Sequence, residues 1–176
     1  MPETEQNNNT DQAQKASGEG TSLVLRTLPD PILRDQCRAV EKFDKKLRRL
    51  VKEMKAVMRN NDGIGLAGPQ VGFSSQFFTA EIEEEFLFLA NPQLVETSQT
   101  EDELVEGCLS LPGRALRVAR ASEITVTGQD QKGKKKTLTL NGLWARVVLH
   151  EMDHLRGVLI SDCGLPVPPA QEDNSG

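Results

Sequence analysis

Histidine is nearly missing from this chain of 176 residues, which holds only His150 and His154. Whatever imidazole chemistry exists is confined to one place. Cysteine is sparse too, with Cys37, Cys108 and Cys163, and an odd count without an export signal argues against a disulfide framework. Long hydrophobic runs are absent: no stretch approaches the roughly 20 apolar residues of a membrane span. The first 21 residues lack large apolar side chains and carry four acids against Lys15 alone, the reverse of an Arg-rich organelle presequence. Such a segment cannot offset its ordering entropy by burial. The reading is therefore a disordered acidic, polar leader over 1–21, a single catalytic-sized domain over 22–165, and a flexible Pro-rich tail over 166–176. Location in the cytoplasm is the matching expectation, with no membrane partner. A net charge of −5 argues against nucleic-acid binding as the main function, and the basic cluster Lys132 to Lys136 reads as a solvated hairpin turn.

Two helices are predicted. From Phe43 the apolar residues Leu47, Leu50, Val51, Met54, Val57 and Met58 recur at the helical period, with Asp44 as N-cap and Asn61-Asp62-Gly63 as the stop. A second helix begins after Asn141 and runs through Trp144, Val147, Val148, His150, Met152, His154 and Leu155 toward Gly157; apolar on most sides, it belongs in a core. Strand chemistry marks 23–28, 76–82, 86–90, 103–108, 122–127 and 136–140. After Asp162 three prolines forbid a regular helix, and a loose ending is expected. The pattern predicts an α+β fold.

The two histidines stand in "HEMDHL", four residues apart with Glu151 between them. On a helix, positions i and i+4 share a face, so both imidazoles can reach one cation while Glu151 reaches its water. Two histidines placed at random would fall four apart roughly once in a hundred such sequences. A catalytic site of this type needs a third protein ligand and one open position. Downstream, the acids are Asp162, Glu172 and Asp173, all at or within the loose ending. Upstream stands Cys108 in "EGCLSLPG", beside a glycine that permits close backbone approach. A third stretch, "GIGLAGPQVG" over 63–72, lacks the Lys and Ser/Thr of a phosphate loop; it offers backbone groups for strand addition by a peptide, and one amide, Gln70, able to donate to an oxyanion.

Together these stretches resemble the peptide deformylases, whose motifs run approximately GxGLAAPQ, EGCLS and HExDHL in that order, where this chain has GIGLAGPQ, EGCLS and HEMDHL. "PDPILR" near residue 30 and "GLWARVVLHE" extend the resemblance over about 23 to 162. It implies antiparallel sheets packed around a buried helix that carries HExxH. It also implies a metal-dependent hydrolase that removes the formyl group from the N-terminal formylmethionine of newly made polypeptides and releases formate. Residue by residue, it makes Cys108, His150 and His154 metal ligands, Glu151 the general base and acid, Gln70 and the Leu109 N–H oxyanion donors, and Ile64, Gly65 and Val147 substrate contacts. Glu106 and Arg120 become an ion pair that steadies the cysteine segment. Iron(II) is the implied working ion, with Zn²⁺, Ni²⁺ or Co²⁺ suited to the same donors. N-formylmethionyl peptides are the implied partners. Transient ribosome contact is a family trait, but the Pro-rich ending leaves no room for the C-terminal helix that supports it. Short-tailed members of the family include phage and organellar-type enzymes, and the acidic leader favours a bacterial or phage origin over an organelle. Gly68 stands where the family usually has alanine, and a looser loop is expected there. Two alternatives share parts of this pattern: a zincin-type endopeptidase, and a silent family member acting as a binding module.

Overall fold

The computed structural model describes residues 22–167, so the leader over 1–21 and the last part of the tail, 168–176, lie outside it. Its elements follow from side-chain periodicity. Helix α1 spans Lys45–Asn60; the Asp44 carboxylate accepts the N–H groups of Lys46 and Leu47 at 2.9 and 3.0 Å and satisfies two of the helix's open donors. It ends where the Asn61 amide folds back onto the Val57 carbonyl, 2.7 Å away, and Asp62 takes a left-handed φ of 54°.

Five strands form one antiparallel sheet in the order β1-β2-β3-β6-β7: β1 Gly65–Ala67, β2 Phe77–Ile82, β3 Glu85–Thr97, β6 Glu123–Gln129 and β7 Lys135–Asn141. Adjacent side chains on a strand point to opposite faces. Phe77 pairs with Ala90 and joins Val51, Met54 and Met58 of α1 on one face, while Phe78 pairs with Leu89 on the other. There they meet Ala145 and Val148 of helix α2, Gly142–His154. A second antiparallel sheet, β4-β5-β8, is built from Glu101–Gly107, Ala115–Ala121 and Leu165–Pro166. It contacts α2 through β5. The buried helix thus lies between two antiparallel sheets, the α+β arrangement the pattern predicted.

Four expectations are corrected. Residues 23–28 form no strand: this extended run instead spends its N–H groups on turns, Arg26 on the Gln70 carbonyl at 2.7 Å and Leu28 on that of Ser110 at 3.0 Å. Strand β5 was not expected, because arginine occupies two of its seven positions and hides the alternation of Leu116, Val118 and Arg120 on the inner face. The loose ending does not begin at Asp162: Ile160–Cys163 forms a helical turn, α3, and Leu165–Pro166 adds to β5. Asp162 is held by the Arg34 guanidinium of "PDPILR" and itself accepts the Leu159 N–H at 2.8 Å. Nor is the loop at Gly68 loose. An added Cβ would stand 2.8 Å from the Ser75 carbonyl and 2.9 Å from that of Phe73, so glycine here lets 73–75 close over it. Among the described residues no helix is long and apolar enough to cross a membrane.

Candidate active site

Strands β1 and β4 are edges of their sheets, and the cleft between them has a volume of about 660 Å³. Its floor is the HExxH turn of α2. The ligating atoms of Cys108, His150 and His154 all lie within 4.8 Å of one another, with Cys108 Sγ 3.3 Å from His154 Nε2. Cys108 reaches that point because β4 ends at Gly107 and the chain turns at once, the Leu111 N–H donating to the Cys108 carbonyl at 3.0 Å. The two rings meet edge to face, centroids 5.0 Å apart, as positions one turn apart on a helix must.

The donor set fits a divalent transition metal: two imidazoles and one thiolate are borderline-soft ligands, and three of them leave a fourth position open. Electrostatics agree. His154 is buried, and burial together with the neighbouring His150 holds its pKa well below the usual range, which keeps the ring neutral as a ligand must be. Its Nδ1 has no hydrogen-bond partner among the described residues. Burial also works against a charged His150, but hydrogen bonds to Cys108 and Glu106 outweigh it and raise that ring to about 10. A bound cation must displace this proton. Among the described residues no other His, Cys, Asp and Glu cluster has this geometry.

Behind the rings lies a buried ion network. The Glu106 carboxylate accepts from Arg120 Nε at 2.6 Å, from Arg146 Nη1 at 2.7 Å and contacts His150 Nδ1 at 3.0 Å. Arg120 also donates to Asp153 at 2.8 Å. Glu106 and Arg120 are each 7% exposed, so the pair is a buried one, and losing either partner would strand a charge. Burial pushes the Glu106 carboxyl up, yet His150 and Arg120 prevail and hold it near 2. Sequence reasoning missed Arg146 and Asp153. A signal existed for the first, since an arginine inside an otherwise apolar helix has to find anionic or carbonyl partners.

Glu151 is 3% exposed and faces the cleft from below, with Oε2 lacking a hydrogen-bond partner. Burial raises its pKa to about 7. A Cβ on Gly65 would come within 2.2 Å of Glu151 Oε1, so only glycine fits where β1 crosses the carboxylate. Gln70 is 1% exposed, and its amide has one orientation: Oε1 accepts the Ala67 N–H at 2.9 Å, which turns Nε2 toward Ser110 Oγ at 3.1 Å and Cys108 Sγ at 3.7 Å. Ser110 itself went unnoticed in the sequence; its hydroxyl donates to the Arg26 carbonyl at 2.7 Å and so fixes the acceptor that Gln70 uses. Ile64, Gly65, Leu109 and Val147 all line the cleft. Ile64, Gly65, Gln70, Cys108, Leu109, His150 and Glu151 of the three motifs therefore line one cleft, with His154 buried behind Cys108, whereas Asp162, the nearest downstream acid, is tied to Arg34.

The family model described as polypeptide deformylase matches residues 23–166. The chain is 43% identical over 138 residues to the peptide deformylase of Dictyoglomus thermophilum, covering 78% of this chain and 90% of that one. It is 40% identical over 145 residues to peptide deformylase 2 of Prochlorococcus marinus, covering 80% and 72%. Among solved structures, the peptide deformylase of Thermotoga maritima superposes with a TM-score of 0.81 at 36% identity, over 85% of this chain and all of that one. The Synechococcus elongatus peptide deformylase in complex with actinonin gives 0.80 at 39% identity, over 83% and 80%. By sequence, fold and the convergence of three motifs on one cleft, the chain belongs to the polypeptide deformylase family, metal-dependent hydrolases that remove the N-formyl group from newly made polypeptides.

Proposed function

We propose that Cys108, His150 and His154 hold the metal, that Glu151 moves the proton, and that Gln70 with the Leu109 N–H receives the developing charge on the formyl oxygen. The observation that carries this reading is the meeting of one sulfur and two ring nitrogens within 4.8 Å from segments more than 40 residues apart in sequence. A divalent cation on these donors supplies Lewis acidity, lowering the pKa of water to about 7 and polarising the formyl oxygen. Iron(II) is the working ion in this reading. The His150 to Glu106 hydrogen bond orients that ring and makes it a better donor.

The peptide enters along β1. In an antiparallel ladder, hydrogen-bonded and outward-facing residues alternate. Ile64 gives its carbonyl to the Glu81 N–H at 2.9 Å, so Gly65 directs its own N–H and C=O toward the cleft, where an extended N-formylmethionyl peptide adds as a further strand. Ile64 and Val147 wall the methionine side chain. Glu151 takes a proton from the attacking water as oxygen bonds to the formyl carbon, Gln70 Nε2 and the Leu109 N–H stabilise the oxyanion, and Glu151 returns the proton to nitrogen as the C–N bond breaks. The products are formate and a free methionyl amine. A carboxyl brought to about 7 by burial suits both directions of transfer at neutral pH. The cation favours its ionised form, so the acidic limb of kcat/KM is expected at or below that value.

The test pairs metal content with activity. Purified wild type and Cys108→Ala are assayed for bound metal, then for hydrolysis of formyl-Met-Ala and of an internal peptide under anaerobic conditions with Fe²⁺. One metal per wild-type chain, little in the variant, and turnover of the formyl substrate alone are expected. Full metal occupancy in Cys108→Ala overturns the ligand assignment, and cleavage of the internal peptide overturns the substrate assignment.

A further inference from the structure

Six charged residues line the cleft, and four of them are committed. Glu106 and Arg146 are bonded to each other, His150 stands among the metal-ligating atoms, and Glu151 is buried in the floor. Asp62 and Arg114 remain, both exposed and neither within ion-pair distance of an opposite charge among the described residues. For Arg114 the contrast lies in its own neighbourhood. Arg117 pairs with Glu103 at 3.1 Å and Arg120 with Glu106 at 2.6 Å, so among these arginines it is the one at the cleft that is left without a carboxylate. Its position is fixed by the backbone. Leu111-Pro112-Gly113-Arg114 has the features of a type II turn: the Arg114 N–H donates to the Leu111 carbonyl at 3.2 Å, proline takes the second place, and Gly113 takes the third at φ 73°. An added Cβ at Gly113 would touch no neighbouring atom, so glycine is there for that φ and not for space. Leu111 is buried and donates its N–H to the Cys108 carbonyl at 3.0 Å. The turn that ends at Arg114 is thus rooted in the segment that carries the thiolate.

We propose that Arg114 is a specificity-determining residue, selecting substrates that carry an aspartate or glutamate at one of the two positions following the N-terminal methionine. This rests on the substrate reading above, in which the formyl group lies at Cys108, Gln70 and Glu151. From there the peptide has one way out along β1. Leu66 and Ala67 are fully buried and lead inward to Gln70, so the peptide runs antiparallel to the strand, past Ile64 and Gly63 to Asp62. Asp62 flanks the exit from the β1 side and Arg114 from the turn between β4 and β5. A guanidinium is a planar fork of donors that matches a carboxylate, and the lack of an internal partner leaves this fork to the substrate. The opposite wall adds direction, since Asp62 repels an acid and attracts a base. Successive side chains of an extended peptide point to opposite sides. A carboxylate is therefore rewarded at only one of the two positions, the one that faces Arg114. A free C-terminal carboxylate in the same place would be captured too, so substrates for the test must be amidated.

The experiment measures kcat and KM of the metal-loaded full chain on formyl-Met-Asp-Ala-amide and formyl-Met-Ala-Asp-amide, each against its Asn and Lys counterparts. At one position Asp should exceed Asn in kcat/KM by about fivefold, through KM with kcat nearly level, and Lys should fall below Asn. The advantage should shrink toward parity in about 0.5 M KCl. Arg114→Gln should bring the Asp peptide down to its Asn counterpart, Arg114→Lys should retain part of the advantage, and Arg114→Glu should reverse the order of Asp and Lys. Arg117→Gln, close by in sequence but outside the cleft, should keep the wild-type ratio. Parity of Asp and Asn at both positions, an equal advantage at both, an effect confined to kcat, or an advantage that survives in Arg114→Gln would each overturn the role of Arg114. In all of these the Asn peptides are still deformylated. If no formylated peptide is hydrolysed, the substrate reading fails and the role of Arg114 fails with it.

Discussion

The two long helices are built on opposite plans. Everything α1 buries is hydrocarbon or thioether: Leu47, Val51, Met54, Val57 and Met58. Helix α2 buries Ala145, Val147 and Val148 but also Arg146, Glu151 and His154. Arg146 is fully occupied, by Glu106, by the Val118 carbonyl at 2.9 Å and by the Asp102 carbonyl. Glu151 and His154 are not, since each keeps a buried polar atom without a partner. Buried polar groups normally find partners, and leaving them bare costs stability. One helix is thus optimised to hold the fold, and the other carries a local cost in the groups that do the chemistry.

The sharpest way to break that contrast is Glu151→Gln. Activity should fall about 10³- to 10⁴-fold in kcat/KM with formyl-Met-Ala, because the same carboxyl serves as base and acid. Stability should move the other way. The folded pKa of about 7 lies above the ordinary 4.5, so the unfolded chain loses this proton first and ionisation favours unfolding as pH rises from 4.5 to 7. At pH 8 the metal-free variant should melt above metal-free wild type, with the gap narrowing toward pH 5. A variant that is both inactive and less stable at pH 8 would make Glu151 a structural residue. Gln70→Ala should come next, at about 10²- to 10³-fold in turnover. Because the Gln70 amide also holds Ala67 and Ser110, bound metal should be measured beside activity; loss of metal would reassign Gln70 to positioning Cys108.

The sequence was legible in proportion to how far each element follows one period. Helix α1 has a clean stripe and a capping aspartate, and both its ends were read within a residue. Strand β5 was missed because Arg117 and Arg120 interrupt its alternation, and Arg120 faces inward only because Glu106 and Asp153 await it there. No local pattern announces a charge whose partners lie 14 and 33 residues away. Strand β3 was read only to Ala90, since Asn91-Pro92 looks like a break. In the fold Asn91 sits at φ 50° in a register irregularity of the strand, and its side chain exchanges bonds of 2.7 and 2.9 Å with the backbone of Val40, outside the sheet. The site itself was legible as residue types, because two histidines in one turn are nearly self-announcing. Its supporting shell of Arg146, Asp153 and Ser110 was not, since long-range pairing alone gives those residues their meaning.

On the structural side, Met54→Ala should cost about 2 to 5 kcal/mol, the usual range for truncating a fully buried methionine. Its kcat/KM per folded molecule should stay at the wild-type value when assayed well below the melting transition. The urea midpoint and the rate constant measured on one preparation separate the two quantities. A rate that falls along with stability would mean that packing of α1 against Phe77 and Leu66 reaches the site through β1.

The smallest effect belongs to Glu81, which joins α1 to β2 as Glu106 joins the three-stranded sheet to α2. It accepts from Arg59 Nε at 2.8 Å and lies 3.3 Å from Lys55 Nζ. The Arg59 hydrogen bond, with Lys55 behind it and burial opposing, holds its carboxyl near 2. A folded value below the unfolded one means that the contribution is complete above pH 4.5 and is lost as pH falls toward 2. Arg59 is 58% exposed, however, so water and salt screen the pair. Glu81→Gln should therefore cost no more than about 1 kcal/mol at pH 7. The cost should shrink in 0.5 M NaCl and disappear as pH drops from 4.5 to 2, measured by urea unfolding of both proteins across that range. A cost as large as that of Met54→Ala, or one indifferent to salt, would show that the surface of α1 holds the fold as firmly as its buried stripe.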